Sequence, residues 1–551
     1  MSDQSAPRHV EVQLDTGLHR SVGKLSLLFT GVGAIIGSGW LFGALYASQI
    51  AGPASMISWV LGGAIMMVIG LVYAELATMF PVAGGIIRFP HYAFGSFASY
   101  SSGWISWLAA AAVTPIEVLA SVQYAKPYIP WLMEQVDGVF VLTGAGAAVA
   151  VAMMFVYSLI NLMGVQLFAR FNNVLVWWKL AVIALLIVML FLLEFNPANL
   201  TAHGFAPAGW GAMFTAIPAA GIGFAYLGFR NAVEYAGESR NPQRNVPFAV
   251  IGAIALTATI YVLLQFAFIT ALPQRLLADG WASLVFVEDA GPLAGLALVL
   301  GAVWLAWLLR IDAIISPADT GLIYAGVTTR LSYANARNRN APQWLLGLNR
   351  RGVPWLSVVL TFVVGCLFFL PFPSWQLFIG FITSAMAISF GSGPVAVGAL
   401  RRQLPNQARP FRLPGKDLLP LLSFIGSSLL VFWSGWAINE KMLIALLVGY
   451  GVYLVYHFTA RIELPPMDFK AGAWFPIWVA GLLVVSYFGD INPHAAALPG
   501  LVLDGGDGPL GLGAGALVCA AFAVAVYYLG VALRLPAARA ADNIREHPTQ
   551  E

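Results

Sequence analysis

Residues 31–40, GVGAIIGSGW, and residues 217–229, IPAAGIGFAYLGF, decide how this chain folds. Each sits in an apolar run long enough to cross a bilayer, which takes about 20 helical residues. Each is also interrupted, by Gly31, Gly33, Gly37 and Gly39 in the first case and by Pro218, Gly221, Gly223 and Gly228 in the second. Glycine serves close helix packing in membranes, so either run alone is ambiguous. Two interrupted runs at matching places in two halves of a chain point to an inverted repeat with binding where the helices unwind.

Working outward, the 551 residues are 59% hydrophobic and only 10% charged, against about 25% charged in a soluble domain. So few charges cannot clothe a water-facing surface, and lipid must supply the outer solvent. Apolar runs set against breakers predict spans near 25–50, 57–80, 97–124, 140–163, 172–193, 211–235, 246–271, 294–328, 354–371, 375–400, 418–437, 441–459, 474–490 and 512–534. The interrupted spans are the first and the sixth. Spans 1–5 (25–193) and 6–10 (211–400) then form two repeats of a transport core covering 25–400, and 401–534 holds the peripheral spans 11–14. Polar tails of 1–24 and 535–551 complete the division.

Alternate loops carry 22 Lys and Arg on the side of the N-terminus and 3 on the other, while Lys179, Arg230 and Arg310 fall within spans. Cytoplasmic loops are the cation-rich ones, so both termini are expected in the cytoplasm. The stretch 1–24 has no apolar signal region, and the first span is expected to start insertion itself.

Several function classes are excluded. The net charge of +3 is spread over loops without a dense basic face, so no nucleic-acid partner is expected. Cys366 and Cys519 lie apart inside apolar runs, where cysteine behaves as a small hydrophobe, and neither a disulfide nor a metal site is expected. No GxxxxGK[ST] phosphate loop or GxSxG nucleophile motif is present, which disfavours a primary pump and a hydrolase. No cofactor is expected.

The stretch 31–55, GVGAIIGSGWLFGALYASQIAGPAS, resembles the first helix of amino acid permeases of the amino acid-polyamine-organocation superfamily. So does 224–250, FAYLGFRNAVEYAGESRNPQRNVPFAV, resembling their sixth helix. YAEL at 73–76, PVAGG at 81–85 and TTRLSYANARNRNAP at 328–342 extend the likeness over roughly residues 20–460. GGIIRFP at 84–90, GFRNAVEYAGE at 228–238 and RIDAIISP at 310–317 resemble the aspartate-proton symporter group most. The resemblance implies an all-α polytopic membrane protein with a 5+5 inverted-repeat, leucine-transporter-like core and helices 1 and 6 discontinuous.

It also implies roles. Unwound backbone offers amides and carbonyls that a helix otherwise locks away. The superfamily pattern, around Gly37, assigns a substrate carboxylate to the amides of Ser38 and Gly39, and its ammonium to carbonyls around Ile35, Phe224, Ala225 and Leu227. Trp40, Tyr226 and Phe229 are candidate gates. Lys179, about 12 Å into span 5 at 1.5 Å per residue, matches the lysine that replaces sodium in proton-coupled members; the alternative is a lysine snorkelling to the interface.

Asp319, about 16 Å into span 8, departs from the small residue many relatives carry. It either faces Lys179 as a charge partner, altering its proton affinity or replacing it as proton carrier, or meets water where Pro317 bends the helix. Arg230 stands where many members have an acid and suits a side-chain carboxylate, or else pairs with Glu234 as an inner gate. Arg310 and Asp312, about 30 Å from the inner end of span 8, are expected to join Glu117 in an outer ionic gate. Glu75 and Arg88 read as structural or inner-gate charges.

The expected function is import of an amino acid with a proton by alternating access, leaning to acidic cargo. An exchanger, a permease for neutral amino acids and a non-transporting sensor are the alternatives. Substrate and bilayer are the expected partners, and oligomeric state is not legible.

Overall fold

The computed structural model describes residues 20–136, 139–163, 165–286, 291–371, 374–460, 464–491 and 508–545. The tail segments 1–19 and 546–551 lie outside these. A helix stands at each of the fourteen positions read from the sequence. Among the described residues nine helices are long and apolar enough to cross a membrane, and a bent pair adds a tenth. The remainder fall short for visible reasons. Trp355–Leu367 and Leu418–Trp433 are 13 and 16 residues long, and Val303–Arg337 carries Arg310, Asp312 and Asp319 inside its apolar stretch.

Span 1 is two helices, Lys24–Ile35 and Gly39–Ala51, separated by Ile36–Ser38. Span 6 is Ala212–Ala219 and Ile222–Glu234, bent by 58°. Gly221 makes that bend with φ +78°, a conformation that costs an L residue about 1–2 kcal/mol, and Pro218 just before it withholds a backbone donor. Both discontinuities therefore lie where the glycine runs placed them.

Several boundaries differ from the sequence reading, and span 8 is two helices, Pro292–Val299 and Val303–Arg337. An antiparallel hairpin, Met133–Val136 with Val139–Leu142, precedes span 4. Spans 11 and 12 are parted only by Ser434 and Gly435, whose φ of +83° makes a tight turn, so Lys441 sits on a helix and not in a loop. Span 8 runs on to Arg337.

Helix Ser96–Ala125 is the central post, packed against Val303–Arg337 and Trp375–Gln403. Its residues Ala109, Ala110, Ala111 and Ala112 are fully buried, and such small side chains let membrane helices approach closely. The opposite extreme marks the rim, where Leu192, Phe458 and Leu517 are each more than 70% exposed. Large apolar side chains bared this way are stable only against lipid tails.

Candidate functional site

The two breaks touch each other through their backbones. A Cβ on Gly228 would fall on the backbone of Ala34 and Ile35, and one on Gly39 would lie 3.0 Å from the Ala225 Cβ. Glycine is thus required by approach at Gly228 and tightly packed at Gly39, neither position having a positive φ. Around this contact Ile35, Ser38, Ala225, Leu227, Tyr226, Phe229 and Trp40 are all buried.

At the break of span 1 the Ser38 amide donates to Glu117 Oε2 at 2.8 Å. Ser38 is the residue before helix Gly39–Ala51, so a carboxylate already sits at a helix N-terminus, where amides and dipole favour an anion. Trp375 Nε1 donates to Ser38 Oγ at 2.8 Å and pins the segment from span 10. On the other side of the break, Tyr261 donates to the Ile35 carbonyl at 3.0 Å.

Directly below lies an ion pair. Lys179 Nζ is 2.8 Å from Asp319 Oδ2, and both residues are buried. The ammonium also donates to the Gly33 carbonyl at 2.8 Å and to Thr320 Oγ1 at 3.3 Å. Three donors thus meet three acceptors, from spans 1 and 8. Thr320 in turn reaches the Gly33 carbonyl at 2.8 Å and the Ile36 carbonyl at 3.2 Å. Of the two sequence readings, the structure shows Asp319 facing Lys179, and it shows Lys179 enclosed and not snorkelling.

Break 6 has its own pair. Arg230 Nη2 is 3.3 Å from Glu234 Oε1, one turn along, and 2.9 Å from Ser106 Oγ. The guanidinium lies 5.9 Å from the Phe390 ring centre and against Met386 Sδ. Arg230 and Glu234 are both fully buried, and among the described residues Arg230 Nε has no hydrogen-bond partner. The carbonyls of Phe224 and Leu227 take part in tight-turn contacts with the amides of Tyr226 and Arg230. Tyr226 is anchored to the Trp59 carbonyl at 3.1 Å, and Phe229 packs 5.1 Å from Phe390.

The expected trio of Glu117, Arg310 and Asp312 does not assemble. Glu117 is engaged at Ser38, Asp312 accepts from Trp178 at 2.9 Å and Ser316 at 2.8 Å, and Arg310 lies over Tyr128 and Trp307. The cause is geometric: Glu117 meets Ser38 on span 1 and Asp312 meets Trp178 on span 5, which residue counts from span ends do not resolve. Glu75 forms a bidentate pair with Arg401 and accepts from the Leu413 amide at 2.8 Å, while Arg88 is buried beside Tyr92. Thr320, Trp375, Tyr261, Ser106 and Met386 escaped the sequence reading. Thr320 was the findable one, as the neighbour of Asp319 in an apolar helix.

On the N-terminal face, Arg330 pairs with Glu238 at 2.6 Å. There Val22 donates to the Glu238 carbonyl and accepts from the Arg240 amide, both at 3.0 Å. Between spans 2 and 3, helix Gly85–Phe94 supports the end of span 6, with the Gly84 amide 3.3 Å from the Glu234 carbonyl. His91 on that helix is pushed down to about 4 by burial and by the charges of Arg88 and Arg539. Among the described residues no group of three His, Cys, Asp or Glu side chains could hold a metal.

Residues 22–460 match the amino acid permease family. The chain is 38% identical to the glutamate/serine transporter AimA of Bacillus subtilis, over 86% of this chain and 88% of that protein. It is 36% identical to the aspartate-proton symporter of the same organism, over 86% and 91% respectively. A branched-chain amino acid permease, BcaP, also of Bacillus subtilis, is 27% identical over 80% and 94%. The broken first and sixth helices, the buried polar cluster between them and these matches agree: the chain belongs to the amino acid permease family, and is a multi-pass membrane transporter and not an enzyme.

Proposed function

We propose that this permease imports acidic amino acids, aspartate and glutamate, together with protons, by alternating access. Two relatives above 35% identity bear names that join glutamate or aspartate, and in one case the proton, to this type of chain. The observation that carries the acidic cargo is Arg230: a fully buried guanidinium at the break of span 6 with Nε unpartnered among the described residues. A second, side-chain carboxylate on the substrate would draw it from Glu234 in a charge-assisted contact.

In this reading Ser38 and Gly39 take the α-carboxylate, and carbonyls of Ile35, Phe224, Ala225 and Leu227 take the ammonium. The Lys179–Asp319 pair joins spans 1, 5 and 8 so that protonation nearby is felt at the break. Trp40, Tyr226 and Phe229 line the closure. Repeats 25–193 and 211–400 rock about the two breaks, and 401–534 forms the flank. Both termini face the cytoplasm, the cation-rich side, of the cell membrane.

The test is uptake of radiolabelled aspartate, glutamate, serine and arginine into proteoliposomes, with and without an inward proton gradient. Gradient-driven accumulation of aspartate and glutamate is expected. Uptake that ignores the gradient and needs internal amino acid would instead identify an exchanger.

A further inference from the structure

Four buried carboxylates line the two breaks and span 8, and three of them are held by side chains. Asp319 is paired with Lys179, Glu234 with Arg230, and Asp312 is held by Ser316 and Trp178. Glu117 differs. Among the described residues it makes no ion pair, its Oε2 accepts from the Ser38 amide, and its Oε1 has no hydrogen-bond partner. A buried carboxylate with one backbone donor and no ion-pair partner is the member of such a set that a proton most stabilises. Lys179 is its opposite, an ammonium with three acceptors around it.

We propose that Glu117, and not the lysine, carries the coupling proton in this chain. The inference rests on the proton-symport reading above and narrows it to one atom. Ionised Glu117 occupies the Ser38 amide that a substrate carboxylate needs, and it repels that carboxylate. Protonation at Oε1 removes the charge and turns an acceptor into an O–H donor. The neutral acid then releases or shares the amide and donates to the incoming carboxylate, so substrate and proton bind together. On the cytoplasmic side the substrate leaves, Glu117 returns its proton to water, and the carboxylate recaptures the Ser38 amide. One proton crosses with each substrate.

The site is built for that exchange. Gly37 has no side chain, and a Cβ there would meet Glu117 Oε1 and Thr320, so the carboxyl lies directly on the unwound backbone. Lys179, Tyr157, Tyr261 and Tyr324 are the other titratable groups within electrostatic reach of it, from spans 5, 4, 7 and 8. Lys179 is held by Asp319, Tyr261 donates to the Ile35 carbonyl, and among the described residues the Tyr157 and Tyr324 hydroxyls have no hydrogen-bond partner.

The experiment compares wild type, Glu117→Gln and the double variant Lys179→Met/Asp319→Asn, reading aspartate and glutamate binding against pH, counterflow and gradient-driven accumulation in proteoliposomes. Wild-type affinity should weaken about tenfold per pH unit above the titration of Glu117. Glu117→Gln, at whatever affinity it binds, should lose the pH dependence of binding to within about twofold and accumulate nothing on a proton gradient. The double variant should still take up a proton on substrate binding, read with a pH-indicator dye.

Gradient-driven accumulation by Glu117→Gln, or loss of proton uptake in the double variant, overturns the assignment. Because the double variant keeps Glu117, the second arm decides even if Glu117→Gln does not fold. Absence of proton coupling in wild type would instead remove the symport reading itself.

Discussion

The two breaks look alike in sequence and are built on different physics. At break 6 Gly221 supplies a backbone angle, and the charge beside it is balanced within one helix turn by Glu234. At break 1 none of the residues has a positive φ. Its glycines supply room for Asn172 and Asp319 against Gly33, for Glu117 and Thr320 against Gly37, and for Ala225 against Gly39. Break 1 is therefore held from outside, by side chains on spans 3, 5, 7, 8 and 10, whereas break 6 adds to its outside contacts on Trp59, Ser106 and Met386 a backbone angle and an ion pair of its own. The lesson is that a glycine run marks a break without saying whether its cause is angle or space.

This contrast can be broken at several points. The largest effect is expected where the breaks meet: Gly228→Ala puts a methyl into the Ala34–Ile35 backbone, and transport of any substrate should fall at least about 100-fold, a 1 Å misplacement being enough for that. Normal uptake by this variant would show that the backbones do not need to touch.

The externally held pair comes next. Lys179→Ala strands Asp319 as a buried charge, which costs about 3–5 kcal/mol, while Lys179→Met/Asp319→Asn should recover most of that stability. Thermal unfolding in detergent compares them, and equal melting points would mean the pair is not coupled.

For the pair within span 6, Arg230→Ala should lower aspartate and glutamate affinity roughly 30-fold, about 2 kcal/mol for a charged hydrogen bond, and leave serine affinity within about threefold. Equal losses for all three substrates would make Arg230 a structural residue of span 6.

The support beneath break 6 offers a pH test. The His91 folded-state value is depressed to about 4 from 6.5, so the unfolded chain binds a proton that the folded one refuses. Its stabilising share is complete above pH 6.5 and is lost as pH falls from there to about 4, on the order of 3–4 kcal/mol at about 1.4 kcal/mol per unit. His91→Gln should flatten the fall in melting temperature across that window. An identical slope in the variant would place the proton elsewhere.

The smallest effect is Gly221→Ala, a φ penalty of about 1–2 kcal/mol beside Trp375 and Ile379. It should appear as a modest drop in melting temperature with transport retained.

Much of this was readable in advance because bilayer physics is one-dimensional. Each span needs its own apolar length and each backbone donor a partner inside it, so composition, breakers and loop charge determined the helix count, the two discontinuities and the membrane class. The same economy marked Lys179, Arg230 and Asp319, since an ionisable group at depth stands out against an apolar helix. Motif resemblance brought the permease family into view, and the matches over residues 22–460 bear it out.

What only the tertiary structure decided is which charge meets which. Counting residues along a helix yields depth but neither the azimuth of a side chain nor the neighbour across the gap. Glu117 and Asp312 could thus be grouped at an outer gate from their depths, and yet one caps the broken first helix while the other is held by Trp178 and Ser316. The ionic chemistry of this permease is written in the sequence as a list of rare residues, and packing alone turns that list into pairs.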